Sequence, residues 1–134
     1  MMIRHVLIFF IIVISFSGCF RKVPISYAYE DFKKAGASEL EVQKALLECG
    51  FESPLGDSRN DLNNGVIMDR CMEKAGFIYE WYLNYTHGKT FCEEHPTIPA
   101  CFLPLDQIPD RNVTKRFNSE WCKVKFPNAK ACQP

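Results

Sequence analysis

The chain has 134 residues, 47% hydrophobic and 24% charged, with 16 Lys and Arg balanced by 16 Asp and Glu. That length suits one domain with a modest core of its own, and a formal net charge of zero provides no overall field that would draw in nucleic acid. The charge is uneven, however. Residues 30–110 carry 7 Lys/Arg against 15 Asp/Glu, whereas beyond them Arg111, Lys115, Arg116, Lys123, Lys125 and Lys130 face Glu120 alone. Such a basic tail either packs on the acidic helices of its own domain or touches an anionic component outside it.

Met1-Met2-Ile3-Arg4-His5 is a short, mildly basic start, and Val6 to Ile14 is an unbroken apolar run. The run falls well short of the roughly 20 apolar residues a permanent membrane-spanning helix needs. With the small residues that follow, it reads as a secretory signal over residues 1–18. Phe16-Ser17-Gly18-Cys19 resembles the lipobox of bacterial lipoproteins, with Phe16 where Leu is usual. That resemblance implies a diacylglycerol on the Cys19 thiol and cleavage before it. Several acyl chains, each stabilised in a bilayer by about 0.8 kcal/mol per buried CH₂, hold such a protein durably. Phe20 stands where lipoproteins kept in the inner membrane often have Asp, so the expected location is the cell envelope, with the outer membrane favoured.

Residues 19–37 are expected as a lipidated tether, broken by Pro24 and Gly36 and without helical period, although Ile25, Tyr27 and Tyr29 alternate in the manner of an extended segment. A single disulfide-stabilised globular domain, mainly helical, is expected over 38–134. Ser38-Glu39-Leu40-Glu41 has the form of a capping box. Val42, Ala45, Leu46 and Cys49 then share one helical face and Gly50-Phe51 closes the run, which predicts a helix over 39–49. After a loop containing Pro54 and Gly56, a second helix is predicted over about 60–75, with Val66, Ile67, Cys71, Met72 and Ala75 on its apolar side and Gly76-Phe77 repeating the stop. Phe77, Tyr79, Trp81, Leu83 and Tyr85 occupy every second position, so 77–85 reads as a short strand, with a helical extension as the alternative.

The rest of the chain holds an internal echo. Phe91-Cys92 is followed by Pro96 and closed by Ala100-Cys101; Trp121-Cys122 is followed by Pro127 and closed by Ala131-Cys132. Thr90 and Glu93 form a further capping box, so short helices are expected in these C-terminal units, and another within 111–123. Apart from Cys19 the cysteines number six: Cys49, Cys71, Cys92, Cys101, Cys122 and Cys132. An even number in an exported chain points to three disulfides. The echo pairs Cys92 with Cys101 and Cys122 with Cys132, leaving Cys49 for Cys71; pairing of Cys71 with Cys92 or Cys101 is the rival arrangement.

The segments Ala35-Gly36-Ala37-Ser38, Ala45-Leu46-Leu47-Glu48-Cys49-Gly50-Phe51 and Cys71-Met72-Glu73-Lys74-Ala75-Gly76-Phe77, with the closing Pro-x-x-x-Ala-Cys units, resemble small cysteine-containing lipoproteins of Gram-negative bacteria. The resemblance covers most of the exported part and brings no catalytic residues with it. Ala35 stands where that group has Pro, which touches only the approach to the first helix.

For chemistry, Cys92-x-x-His95 beside Glu93, Glu94 and His87 has the residue types of a zinc site. An oxidising compartment favours a disulfide at Cys92 instead, and no second ligand pair has matching spacing. No Ser or Cys sits in a recognisable nucleophile–base motif. The expectation is therefore no enzyme activity, no metal and no cofactor. Tyr79, Trp81, Tyr82 and Tyr85 are the candidate binding surface, since Tyr and Trp combine large contact area with a polar handle. The expected partners are the membrane, through the lipid, and an envelope protein or glycan, but no nucleic acid. The leading function is a non-catalytic envelope lipoprotein that binds another envelope component. The alternative is a phage- or plasmid-type exclusion or inhibitor lipoprotein that blocks a receptor or an attacking enzyme.

Overall fold

The computed structural model describes residues 27–56 and 61–134. The expected signal peptide, Cys19 and the first part of the expected tether lie outside them. The described chain is mainly helical, with one two-stranded antiparallel sheet and three disulfides. In chain order its elements are α1 (Ala28–Asp31), β1 (Phe32–Lys33), α2 (Glu39–Cys49), α3 (Leu62–Lys74), β2 (Ile78–Tyr79), α4 (Glu80–Tyr85), α5 (Phe91–Glu94), α6 (Pro99–Phe102), a 3₁₀ turn (Leu105–Gln107), α7 (Val113–Asn118), a π-turn (Trp121–Lys125) and a last 3₁₀ turn (Lys130–Cys132). None of these helices is long and apolar enough to cross a membrane.

Helix α2 has the bounds its sequence predicts. The Ser38 hydroxyl accepts a hydrogen bond from the Glu41 amide at 3.2 Å, which satisfies one of the orphan donors at the helix start. At the other end Gly50 takes φ 106° and donates to the Leu46 and Leu47 carbonyls, and Phe51 folds back to donate to Leu46. Only glycine adopts that left-handed geometry without strain. Helix α3 repeats the device: Asp61 caps its start by accepting from the Asn64 amide, and Gly76 at φ 87° lets the Phe77 amide reach the Met72 carbonyl. Both closures drive a phenylalanine into the core, where Phe51 and Phe77 meet Val42, Leu46, Met68, Met72 and Ile108.

Cys49 and Cys71 join the end of α2 to the last turn of α3, with Cα atoms 5.6 Å apart. Cys92–Cys101 closes the α5–α6 unit and Cys122–Cys132 the C-terminal unit, their Cα atoms 5.3 Å apart in both. The pairing is the one read from the echo. A second, smaller apolar cluster forms around Leu47, Cys122, Ala131 and Cys132.

The basic tail divides in two. Glu48, on α2 and only 5% exposed, receives Arg111 Nε at 2.8 Å and Arg116 Nε at 3.0 Å. The Arg111 approach is a hydrogen bond, whereas that of Arg116 Nε is a charge contact without hydrogen-bond alignment. Arg116 is itself buried and donates through its terminal nitrogen to the Ala131 and Gln133 carbonyls at 2.8 and 2.7 Å. These two arginines fasten residues 111–134 to α2; the tail's lysines are exposed.

Two expectations are corrected. Residues 27–37 are not tether. Phe32 is 2% exposed, its ring edge-on to Phe51 at 6.0 Å and stacked on Tyr79 at 4.7 Å. The Ala28 and Tyr29 amides donate to the Leu55 and Pro54 carbonyls. A single buried phenylalanine shows no periodicity, so the sequence hid it. Likewise, the strand expected over 77–85 ends after Tyr79, because β1 offers only Phe32 and Lys33 as partners. The chain then coils into α4. Alternate aromatic positions also place Trp81 and Tyr85 four residues apart, which suits one helix face equally well.

Candidate aromatic binding face

The four aromatic residues singled out in the sequence fall on β2 and α4, and the structure divides them into two pairs. Tyr79 and Tyr82 are half-buried, with ring centroids 6.0 Å apart. Tyr79 continues inward to Phe32, and Tyr82 continues sideways to Phe91 at 5.5 Å and thence to His95, whose ring lies 4.5 Å from that of Phe91. Trp81 and Tyr85 point outward, 49% and 71% exposed, their ring planes within 4° of parallel at 5.4 Å. Ile78 beside them is also exposed. The face is thus an outer stacked pair resting on an inner aromatic ladder that runs into the core.

Several contacts hold this ladder. The Tyr82 hydroxyl donates to Glu94 Oε2 at 2.9 Å. Loss of solvent around the phenol, reinforced by that carboxylate, pushes its pKa up to about 12, so it remains a neutral donor at any physiological pH. Helix α5 is fixed in turn by a complete Thr90/Glu93 capping box. The Thr90 amide and hydroxyl hold the Glu93 carboxyl below its usual range. Buried Thr86 ends α4 by donating its hydroxyl to the Tyr82 carbonyl.

Behind the ladder lies a cavity of about 410 Å³, lined by Val66, Phe77, Tyr82, Leu83, Phe91 and the Cys92–Cys101 disulfide, among others. Asp69, Arg70 and Glu73 of α3 also border it. Arg70 donates to the Ala100 and Leu103 carbonyls, and Asn63 accepts from the Ala100 amide at 2.7 Å. Arg70 therefore clamps α6 onto α3. Neither the cavity nor the clamp is legible in the sequence: the clamp joins residues 30 or more positions apart, and the cavity exists only through the packing of α3, α4 and α5 against one another. The one available sign was the i, i+4 pair Asp69 and Glu73, which places two carboxylates on one side of a predicted helix.

Comparison with known proteins finds no matching family model, no similar curated protein and no similar solved structure. The reading of the face therefore rests on its own geometry.

Cys92 and His95, which together had the makings of a metal pair, are drawn apart chemically: Cys92 is bonded to Cys101, and His95 sits against Phe91. His87 occupies a turn at φ 56°. Among the described residues no group of three His, Cys, Asp or Glu side chains converges as a metal site would require. All six cysteines after Cys19 are oxidised, so none is a thiol nucleophile.

Proposed function

We propose that this chain is a non-catalytic lipoprotein of the bacterial envelope, anchored through Cys19, that holds another envelope component, protein or glycan, on its Trp81–Tyr85 face. The observation that carries the binding part is the exposed, near-parallel ring pair on an aromatic ladder rooted in the core. Rings fixed in advance lose little side-chain entropy on binding, and Trp and Tyr are over-represented among the residues that dominate interfaces. Sugar rings, with their apolar C–H faces, and apolar protein side chains both suit such a surface.

The test is cross-linking in intact cells with mass-spectrometric identification of the captured partner. The double variant Trp81→Ala, Tyr85→Ala is expected to weaken capture by about thirtyfold, as the loss of a strong interface anchor does. Its unfolding free energy should change by only about 1 kcal/mol, because Trp81 is half exposed and Tyr85 largely so. Undiminished capture by this variant would remove the face from the proposal. The partner's identity also separates a housekeeping envelope role from blockade of a receptor or attacking enzyme.

The anchor is tested independently. Globomycin, which blocks the lipoprotein signal peptidase, should make the unprocessed chain accumulate. A Cys19→Ser chain that is still processed and still held in the membrane would refute lipidation at this position.

A further inference from the structure

Three of the tail's lysines, Lys123, Lys125 and Lys130, lie near exposed apolar residues close to the C-terminus in sequence. In the π-turn Trp121–Lys125 the Phe126 amide closes onto the Trp121 carbonyl at 2.7 Å. Cys122, buried and bonded to Cys132, fixes the inner side of this turn. Two residues further on, about half a turn round, Val124 faces outward at 70% exposure. Exposed Lys123 and Lys125 flank it, Phe126 follows half-exposed with its ring against Trp121, and exposed Lys130 lies in the next turn. Lys125 and Glu120 approach to 3.3 Å, but both are more than half exposed, so water weakens the pair. An isolated exposed valine needs no explanation. An apolar tip flanked by two lysines has the composition of a segment that rests on an anionic lipid surface, the lysines meeting headgroups and the apolar groups entering between them.

The length of chain ahead of the fold bears on which surface that is. Only eight residue steps separate Cys19 from Tyr27, where the described fold begins. Fully extended they span at most about 28 Å, less than the roughly 35 Å width of a domain this size. A lipid on Cys19 would therefore keep the domain within its own width of the bilayer, at a high effective concentration of headgroups. We propose that the tip made by Lys123, Val124, Lys125 and Phe126 docks on the anionic phospholipid surface of the membrane that carries the anchor. The choice of that membrane rests on the lipid-anchor reading; the affinity of the tip for anionic lipid does not.

The experiment uses the unlipidated exported chain, residues 19–134 with Cys19→Ser and its three disulfides formed, which includes every described residue. It is sedimented with vesicles of equal phosphatidylglycerol and phosphatidylcholine, and with vesicles of phosphatidylcholine alone. Partitioning should be about tenfold stronger onto the anionic vesicles and should fall with added salt. Lys123→Glu with Lys125→Glu should abolish the preference, and Val124→Asp should reduce binding several-fold, with circular dichroism unchanged because these side chains are exposed. No binding to the anionic vesicles, equal binding to both kinds, or indifference to the tip substitutions would overturn the proposal. So would a concentration-dependent dimer that Val124→Asp dissolves, which would give the tip to a second copy of the chain. Failure of the anchor reading shows separately, as envelope-purified protein whose N-terminus lacks diacylglycerol by mass.

Discussion

Replacing Glu48 by alanine is expected to cost about 3–5 kcal/mol of folding free energy. Glu48 and Arg116 are 5% and 4% exposed, and the carboxylate is the counter-charge for both Arg116 and Arg111. Removing it leaves a guanidinium buried without its anion, and breaking a buried pair from one side carries a penalty of that size. Arg116 also bridges to the Ala131 and Gln133 carbonyls, so the last residues of the chain should loosen with it. Urea denaturation at neutral pH measures the loss. The diagnostic comparison is the double variant Glu48→Ala, Arg116→Met. Removing the orphaned charge should restore part of the stability, so the two substitutions should be non-additive by more than 1 kcal/mol. A Glu48→Ala chain within 1 kcal/mol of the parent would mean that water reaches Arg116 and that this cluster does not hold the tail.

Replacing Cys49 and Cys71 together by alanine is expected to cost about 3–4 kcal/mol. The bridge spans 22 residues. Releasing a loop of that length returns about 3 kcal/mol of conformational freedom to the unfolded chain. Both sulfurs also lie in the main apolar core, so a small packing loss adds to this. The same substitution at Cys92 and Cys101, a separation of nine residues at the domain's edge, should cost less, about 2–3 kcal/mol. Against the roughly 5–15 kcal/mol that separates folded from unfolded domains, losing the first bridge removes a large share. Unfolding curves for each variant, with the remaining bridges verified by non-reducing peptide mapping, decide the matter. Equal or reversed costs for the two bridges would show that the Cys49–Cys71 link is not central to the core.

How much of this could be read in advance follows from the range of the interactions. Helix α2 was legible because its start, face and stop lie within 14 consecutive residues, from Ser38 to Phe51. The disulfides were legible because two of the three close over units whose composition repeats. The capping box at Ser38 was only half right: the hydroxyl caps the helix, but the Glu41 carboxylate lies 3.9 Å from Arg111, a residue 70 positions away that no local pattern announces. The burial of Phe32 was invisible for the same reason, and for the Glu48–Arg111–Arg116 cluster the charge pattern offered packing of the basic tail on its own acidic helices as one of two outcomes without naming the residues that pair. The candidate face was half legible. Aromatic spacing located Tyr79, Trp81, Tyr82 and Tyr85, but it could not say which pair faces inward, since a strand and a helix distribute those positions differently and a two-residue β1 decided between them.

The three bridges also set the order in which the chain can be finished. First cysteine joins second, third joins fourth and fifth joins sixth, with no bond crossing another. A chain that emerges N-terminus first from an export channel can thus seal each bond with the thiol most recently presented, before the next pair arrives. Such a molecule needs an oxidant but no reshuffling of wrongly joined pairs, because nearest-neighbour closure, entropically the easiest, is also the native one. In an exported chain the seventh thiol, Cys19, would be the exception that spoils this sequence, as it precedes all the others. On the anchor reading, its conversion to a thioether withdraws it from that contest, so the lipid that tethers the chain also protects its oxidative maturation.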